Sequence, residues 1–344
     1  MMINNRLFYD LIDEVINIFY QQNESFNIID FLIYHKLDLL YCEKFDICKN
    51  NRQMKIERRM VEYSKECRQI AKLAKQNEIN IIFLKGIALS HIYKENYLWR
   101  YYSDIDLLVE EKQIDKMKSL LEKMGYRYGI VKKGEIIEPT RKQILYKIMY
   151  THEMYPMVKI NNNMVLYADV NFKFSWKGNE NTANIEVPFT DIKKSVNYLD
   201  NSIYLPVLDK KTNFIHLCVH FYNEAVYFAL DNLYHGGEPK EFRLFRLFDI
   251  ISMIFSLTSE DMIFIKTFCD KYNIEEKIKF VLKCIYLIFG EKYLANIREY
   301  FDYQSMDVDF YYSKKGKLLQ WEEDLIIRVF NIEKRKKIIE KMEF

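Results

Sequence analysis

The sequence predicts an α+β protein, a small mixed sheet flanked by N-terminal helices and followed by an all-helical C-terminal domain. Three observations predict it. Apolar residues recur at helical spacing through the N-terminal region; apolar runs of strand length stand at 81–84, 104–109 and 157–172; and from 209 the helical period returns almost to the end. The boundaries that follow are 1–78, 79–203 and 204–344. With 344 residues and 49% hydrophobic composition, the chain can fill more than one core.

In residues 5–20, Leu7, Phe8, Leu11, Ile12, Val15, Ile16 and Ile18 fall on a helical period. A second helix is predicted over 28–41 and a third over 54–75, where Lys55, Glu57, Arg58 and Arg59 read as a solvated face. Ile81 to Leu84 reads as a buried strand running into Lys85-Gly86 and a short helix. The next strand carries Asp104-Ile105-Asp106 ahead of Leu107-Leu108-Val109. An amphipathic helix over 111–124 is stopped by Gly125, followed by a strand at 126–131, a turn at 132–135, and strands at 146–153, 157–160 and 164–172. On the last of these, Val165, Tyr167, Asp169 and Asn171 share one face, and Leu166, Ala168, Val170 and Phe172 the other. The polar stretch 176–201 reads as a linker or substrate loop. Helices are predicted at 209–230, 240–256, 259–271 and 275–288, with Gly236-Gly237 and Pro239 breaking the first two and a basic segment from Trp321 closing the chain. The cleft between sheet and helical domain is the expected substrate site.

Side-chain parity singles out one stretch, 81–109. Asp104 and Asp106 point to the same side of a strand, roughly 6.6 Å apart at about 3.3 Å of rise per residue. Such carboxylates repel unless a cation lies between them, and their oxygen donors suit Mg²⁺, or Mn²⁺, carrying substrate phosphates. Upstream, Gly86 stands where strand becomes helix, so a phosphate can approach the backbone and meet helix N–H groups. Spacing alone proves little, because Asp307-Val308-Asp309 repeats it after a polar stretch, in a predicted loop or helix edge. What distinguishes the first pair is the ordered series of apolar strand, Lys-Gly, helix, Arg100 and an Asp-Ile-Asp leading an apolar strand.

That series, Leu84, Lys85, Gly86, Ala88, Leu89, Arg100 and Asp104 to Val109, resembles the bacterial family of uncharacterised nucleotidyltransferases, within the polymerase-beta-type nucleotidyltransferase superfamily. Tyr167-Ala168-Asp169-Val170-Asn171 is similar to the family's third-carboxylate strand, and Phe214 to His220 to its helical histidine segment; the likeness spans roughly 79–255. The resemblance implies a nucleotidyltransferase core in which Asp104, Asp106 and Asp169 hold Mg²⁺ or Mn²⁺. It also implies that Lys85, Gly86, Ile87, Arg100 and Ser103 line the NTP site. Two positions depart from the pattern. Ile87 stands where the superfamily has a second small residue, and Asn171 where the family often has histidine.

The implied reaction moves an NMP from an NTP to a hydroxyl or similar acceptor and releases pyrophosphate, with Asp169 helping to activate the acceptor. Two alternatives stay open: a degenerate member that binds nucleotide or a partner without transfer, and a glycosyltransferase that uses D-x-D to bind a sugar nucleotide. The second needs several βα repeats before the D-x-D, and the sequence offers one.

Other residues are weighed on their own pattern. Lys85 suits a phosphate or a solvated strand end, and Arg100 a triphosphate or an ion pair. His152 and Glu153, on the predicted strand 146–153, read as surface residues, with His152 kept as a possible substrate contact. Asn171 shares that status through its place on the Asp169 face. His216, His220 and Glu224 recur every four residues, which suits a metal, a substrate contact or an interhelical hydrogen bond. Arg243, Arg246 and Asp249 suit a phosphate or a buried ion pair.

Composition narrows partners and compartment. The 51 Lys and Arg against 49 Asp and Glu give no global basic field, which favours a small-molecule or peptide/protein acceptor over long nucleic acid. Six cysteines without a C-x-x-C read as reduced thiols of a cytoplasmic protein. Asp10, Asp13 and Glu14 interrupt the N-terminus where a signal peptide would be apolar, and no apolar run is long enough to span a membrane.

Overall fold

A computed structural model describes residues 5–23, 26–48, 50–92, 100–151, 153–161, 164–176, 185–193, 196–198, 205–227, 229, 242–313, 316–335 and 337. His152 and the Gly236-Gly237/Pro239 break lie outside them. The chain forms two compact units, one of 48–175 with 186–209, the other of 1–47 with 176–185 and 210–344.

In chain order, α1 (Asn5–Gln22), α2 (Ile28–Tyr34) and α3 (Asp38–Lys44) belong to the helical unit. The sheet unit then contributes α4 (Asn51–Gln76), β1 (Ile81–Phe83), α5 (Lys85–Ile92), β2 (Ile105–Val109), α6 (Ile114–Lys123), β3 (Arg127–Tyr128), β4 (Ile130–Lys132) and β5 (Glu135–Ile137). After these come α7 (Arg141–Tyr146), β6 (Met157–Asn161), β7 (Met164–Asn171), β8 (Phe174–Trp176), β9 (Ile185–Val187), α8 (Phe189–Lys193), β10 (Val196–Tyr198) and β11 (Pro206–Leu208). The chain ends with α9 (Lys210–Tyr222), α10 (Leu244–Ile254), α11 (Ser259–Tyr272), α12 (Glu275–Phe289), β12 (Phe310–Tyr312), β13 (Leu318–Gln320) and α13 (Leu325–Phe330).

The division cuts across the predicted N-terminal segment 1–78. Helix α1 buries Phe8, Leu11, Ile12, Val15 and Phe19 and packs on α3, α10 and α13, so its apolar stripe is completed by the C-terminal helices. Helix α4 packs on α6 in the sheet unit and buries Met60, Tyr63, Cys67, Ile70, Ala71 and Ala74. Its start is fixed at Asn50, whose side chain caps Gln53 N–H while Gln53 caps Asn50 N–H.

The main sheet is mixed, in the order β10-β11-β1-β2-β7-β6-β3. β11/β1 and β2/β7 are parallel; β10/β11, β1/β2, β7/β6 and β6/β3 are antiparallel. Strand β7 alternates as its sequence predicts, with Leu166, Ala168 and Val170 buried and Val165, Tyr167, Asp169 and Asn171 partly open on the other face. In the helical unit α9 lies centrally against α10, α11 and α12, and Phe214, Ile215, Leu217, Cys218, Val219 and Phe221 bury all of its sides.

Several sequence expectations are corrected. The helix predicted over 28–41 breaks at His35–Leu37, where Lys36 takes a left-handed φ of 56°. The strand predicted over 126–131 divides at Gly129, where a Cβ would lie 2.5 Å from Ile136 Cγ2 and 2.9 Å from the Ile137 carbonyl oxygen. Of the strand predicted at 146–153, Tyr146 to Thr151 is helical instead, and Glu153 forms an isolated β-bridge. A Thr140/Gln143 capping box starts α7, which runs into a π-helical turn over Lys147–Thr151. The stretch 176–201 is not simply a linker, since β9, α8 and β10 form within it and β10 closes one edge of the sheet. Asp104 stands just outside β2, in the bend that enters it.

Candidate active site

The site is built on β2 and β7. Their parallel register pairs Ile105 with Ala168 and Asp106 with Asp169, so the two carboxylates leave neighbouring strands on the same side. Asp106 is buried at 7% exposure. Strand β1 lies on the far side of β2 and delivers Lys85. The Leu84 N–H donates to the Asp106 carbonyl at 3.0 Å, and Lys85 then takes a left-handed φ of 52°, a backbone state uncommon outside glycine and asparagine. Its Nζ donates to Asp106 Oδ1 at 2.8 Å.

Charge is crowded here. Burial first, then the negative charge of Asp104, raises Asp106 to about 6 against the opposing pull of Lys85. Burial, then Asp104 and Asp106, raises Asp169 to about 7. Burial alone would depress the Lys85 ammonium, but Asp106, its hydrogen bond, Asp104 and Asp169 outweigh it and hold Lys85 above its ordinary value. One ammonium thus faces more carboxylate charge than it neutralises.

The other nucleotide-site candidates divide. Gly86 opens α5 against Tyr102, where a Cβ would lie 2.6 Å from Tyr102 Cβ and 2.9 Å from Cγ. The absence of a side chain therefore serves packing here, whatever phosphate access it also gives. Ile87 is 1% exposed, so the departure from a small residue fills the core. Arg100 is buried, and its Nη1 donates to the Tyr101 carbonyl at 2.9 Å, bracing the approach to Asp104. Ser103 is exposed, and its carbonyl accepts the Tyr63 hydroxyl at 2.5 Å and Arg59 Nη2 at 3.3 Å. Asn171 Nδ2 donates to the Leu107 carbonyl at 3.4 Å, tying the far ends of β2 and β7.

Three contributors escaped the sequence reading. Tyr63, fully buried on α4, donates to Ser103 O and accepts from Tyr167 N–H at 3.2 Å, so one hydroxyl joins the backbones that carry Asp104 and Asp169. Arg59, assigned to a solvated face, reaches the Ser103 and Val165 carbonyls. Glu153 forms an antiparallel bridge with Asn171, and its charge helps raise both Asp106 and Asp169. No sequence signal marks Tyr63 or Arg59 among the many aromatic and charged helix positions.

Residues 48–290 match the family described as uncharacterised nucleotidyltransferase. The chain belongs to this family. No curated protein matches it. Among solved structures, an antigenic nucleotidyltransferase-like protein from Paracoccidioides brasiliensis is similar at 12% identity over 63% of this chain and 91% of that one, with a TM-score of 0.31. So low a score adds nothing to what the family match and the sheet already establish.

Nucleotidyltransferases of the superfamily typically use divalent metals, and the donor set can be tested against that. Asp104, Asp106 and Asp169 offer hard oxygen donors with excess negative charge, which fits a divalent cation in chemistry. Among the described residues, no three His, Cys, Asp or Glu side chains already surround one point. Lys85 holds one of the carboxylate oxygens such an ion would use.

The helical unit has its own polar cluster. The His216 and His220 rings stack at 6.2 Å, His220 Nε2 lies 3.6 Å from Glu224 Oε2, and Arg246 pairs with Glu224. This matches the ion-pair reading of Arg246. The second D-x-D is structural, with Asp309 pairing to buried Arg328 at 2.6 Å and Asp307 Oδ1 accepting Asp309 N–H. Among the described residues no helix is long and apolar enough to cross a membrane, and Cys42, Cys67, Cys218, Cys269 and Cys284 are buried free thiols.

Proposed function

We propose that this chain transfers a nucleoside monophosphate from an NTP to a hydroxyl or similar acceptor and releases pyrophosphate, using Mg²⁺ or Mn²⁺. The observation that carries the reading is the in-register pairing of Asp106 with Asp169 beside Asp104, with more carboxylate charge than Lys85 offsets. Asp104, Asp106 and Asp169 would hold the cation, which when bound supplies charge neutralisation for the triphosphate and the departing pyrophosphate.

The remaining work falls to the chain. Lys85, left-handed at the head of α5, aims an ammonium into the site, and the N–H groups of the first turn of α5 offer donors to phosphate oxygens. Tyr63 and Arg59 hold the backbone of Ser103, which fixes the bend that delivers Asp104. Such fixed positioning is the protein's main contribution to phosphoryl chemistry. The sheet does not favour the glycosyltransferase alternative, because β1 and β2 are antiparallel and a doubly wound donor domain needs parallel neighbours there.

The test is a thermal-shift panel with each NTP, with and without Mg²⁺ or Mn²⁺, on wild type and the Asp104→Asn/Asp106→Asn double variant, followed by pyrophosphate release. A metal-dependent shift and release in wild type alone are expected. Equal responses from the double variant would refute the assignment.

A further inference from the structure

The ladder between β6 and β7 pairs Met157 with Ala168 and Val158 with Tyr167. Carried on unchanged, it would set Glu153 opposite Phe172, on the core face. It does not carry on. Met154 N–H donates to the Val170 carbonyl at 2.8 Å and Glu153 bridges Asn171, so the register has slipped by one residue across Tyr155-Pro156. Pro156 has no N–H to give the ladder, and a one-residue slip exchanges the faces of every side chain beyond it. The slip therefore turns Glu153 to the side of Asn171, Asp169 and Asp106.

Glu153 differs from its neighbours on that face. Asp106 is buried and held by Lys85, whereas the Glu153 side chain is 38% exposed. Lys147, from the π-helical turn, grips Oε2 at 2.9 Å. Among the described residues Oε1 has no partner. A carboxylate held through one oxygen by a third group, on the strand face that carries Asp169 and Asp106, has the layout of an oriented general base.

We propose that Glu153 is the proton acceptor for the incoming nucleophile. The inference rests on the nucleotidyl-transfer reading above and shifts activation of the acceptor from Asp169 to Glu153. A lone pair of the acceptor oxygen or nitrogen forms the bond to the α-phosphorus. The bond from that phosphorus to the bridging oxygen breaks, its electron pair leaves with pyrophosphate, and the acceptor's proton passes to Glu153 Oε1. Lys147 is a positioning residue that holds the carboxylate through its other oxygen.

The experiment uses the full chain, α-³²P-labelled NTPs with Mg²⁺, and water as the acceptor, following release of labelled NMP. Glu153→Gln should keep the wild-type melting temperature and metal-dependent nucleotide shift while turnover falls about 10²–10⁴-fold. Added formate should restore turnover to Glu153→Ala and leave wild type and Asp106→Asn unaffected, a response no purely structural role gives. Wild-type turnover in Glu153→Gln, or Glu153→Ala without formate rescue, overturns the inference and leaves nucleotidyl transfer standing. A wild type that shows neither a metal-dependent nucleotide shift nor NMP release defeats the transfer reading itself, and this inference falls with it.

Discussion

Replacing Asp169 with asparagine should stabilise the metal-free protein, and only above mildly acidic pH. The folded chain raises Asp169 from 3.8 to about 7, chiefly by burial and then by Asp104 and Asp106. Between those values the folded state keeps a proton that the unfolded chain has released. The associated stability is thus full below the unfolded value and is lost as pH rises through the folded one. At about 1.4 kcal/mol per pKa unit, the loss at pH 8 is on the order of 4 kcal/mol. Asparagine has a similar shape and does not ionise, so Asp169→Asn avoids it. Melting in EDTA from pH 4 to 8 should show no difference at the acid end and a variant more stable by on the order of 8–16 °C at pH 8, taking roughly 2–4 °C per kcal/mol for a unit of this size. Mg²⁺ should stabilise wild type and leave the variant unmoved. A variant less stable than wild type at pH 8, or a difference that ignores pH, would refute the charge-crowding argument.

Gly86→Ala should cost about 1–3 kcal/mol in urea unfolding without nucleotide, because Tyr102 Cβ is fixed to its backbone and cannot rotate away from the new methyl. Unchanged stability with lost nucleotide binding would instead make the glycine a phosphate-access position. Tyr63→Phe should lose about 1–3 kcal/mol by leaving the Tyr167 N–H unpaired, and nucleotide affinity should fall with it as Asp104 loosens; titrations in parallel read both. Asp309→Asn should lower the melting temperature through Arg328 and leave every NTP response intact, separating the two D-x-D motifs. A lost NTP response there would challenge the placement of the site.

The sequence carried the architecture well wherever one period dominated. Helix α1, the strands β1, β2, β6 and β7, and the faces of β7 follow from spacing alone, and so does the shared side of Asp106 and Asp169 once their strands are paired. Failures fell where a local device beats periodicity. The 146–153 run is apolar enough for a strand, yet a capping box at Thr140 commits it to helix as far as Thr151. The face that Glu153 takes depends on a slip that Pro156 permits but does not announce. Arg59 could not be told from its solvated neighbours, since its carbonyl partners come from Ser103 and Val165, far along the chain.

The parallel pairing of β2 with β7 also bears on how the protein comes to be. The two strands meet only after the chain from Val109 to Met164 has looped back, a closure that must be met before its contacts repay it. Docking β7 also brings Asp169 against Asp106 and Asp104. The step that joins the two halves of the sheet is therefore the one that concentrates negative charge. A nascent chain stopped before Met164 lacks that repulsion and lacks the site, so assembly of the reactive centre coincides with the joining of the sheet's two halves. Acid or a divalent cation at that moment would ease β7 into place, tying the rate of refolding to the ions in the medium.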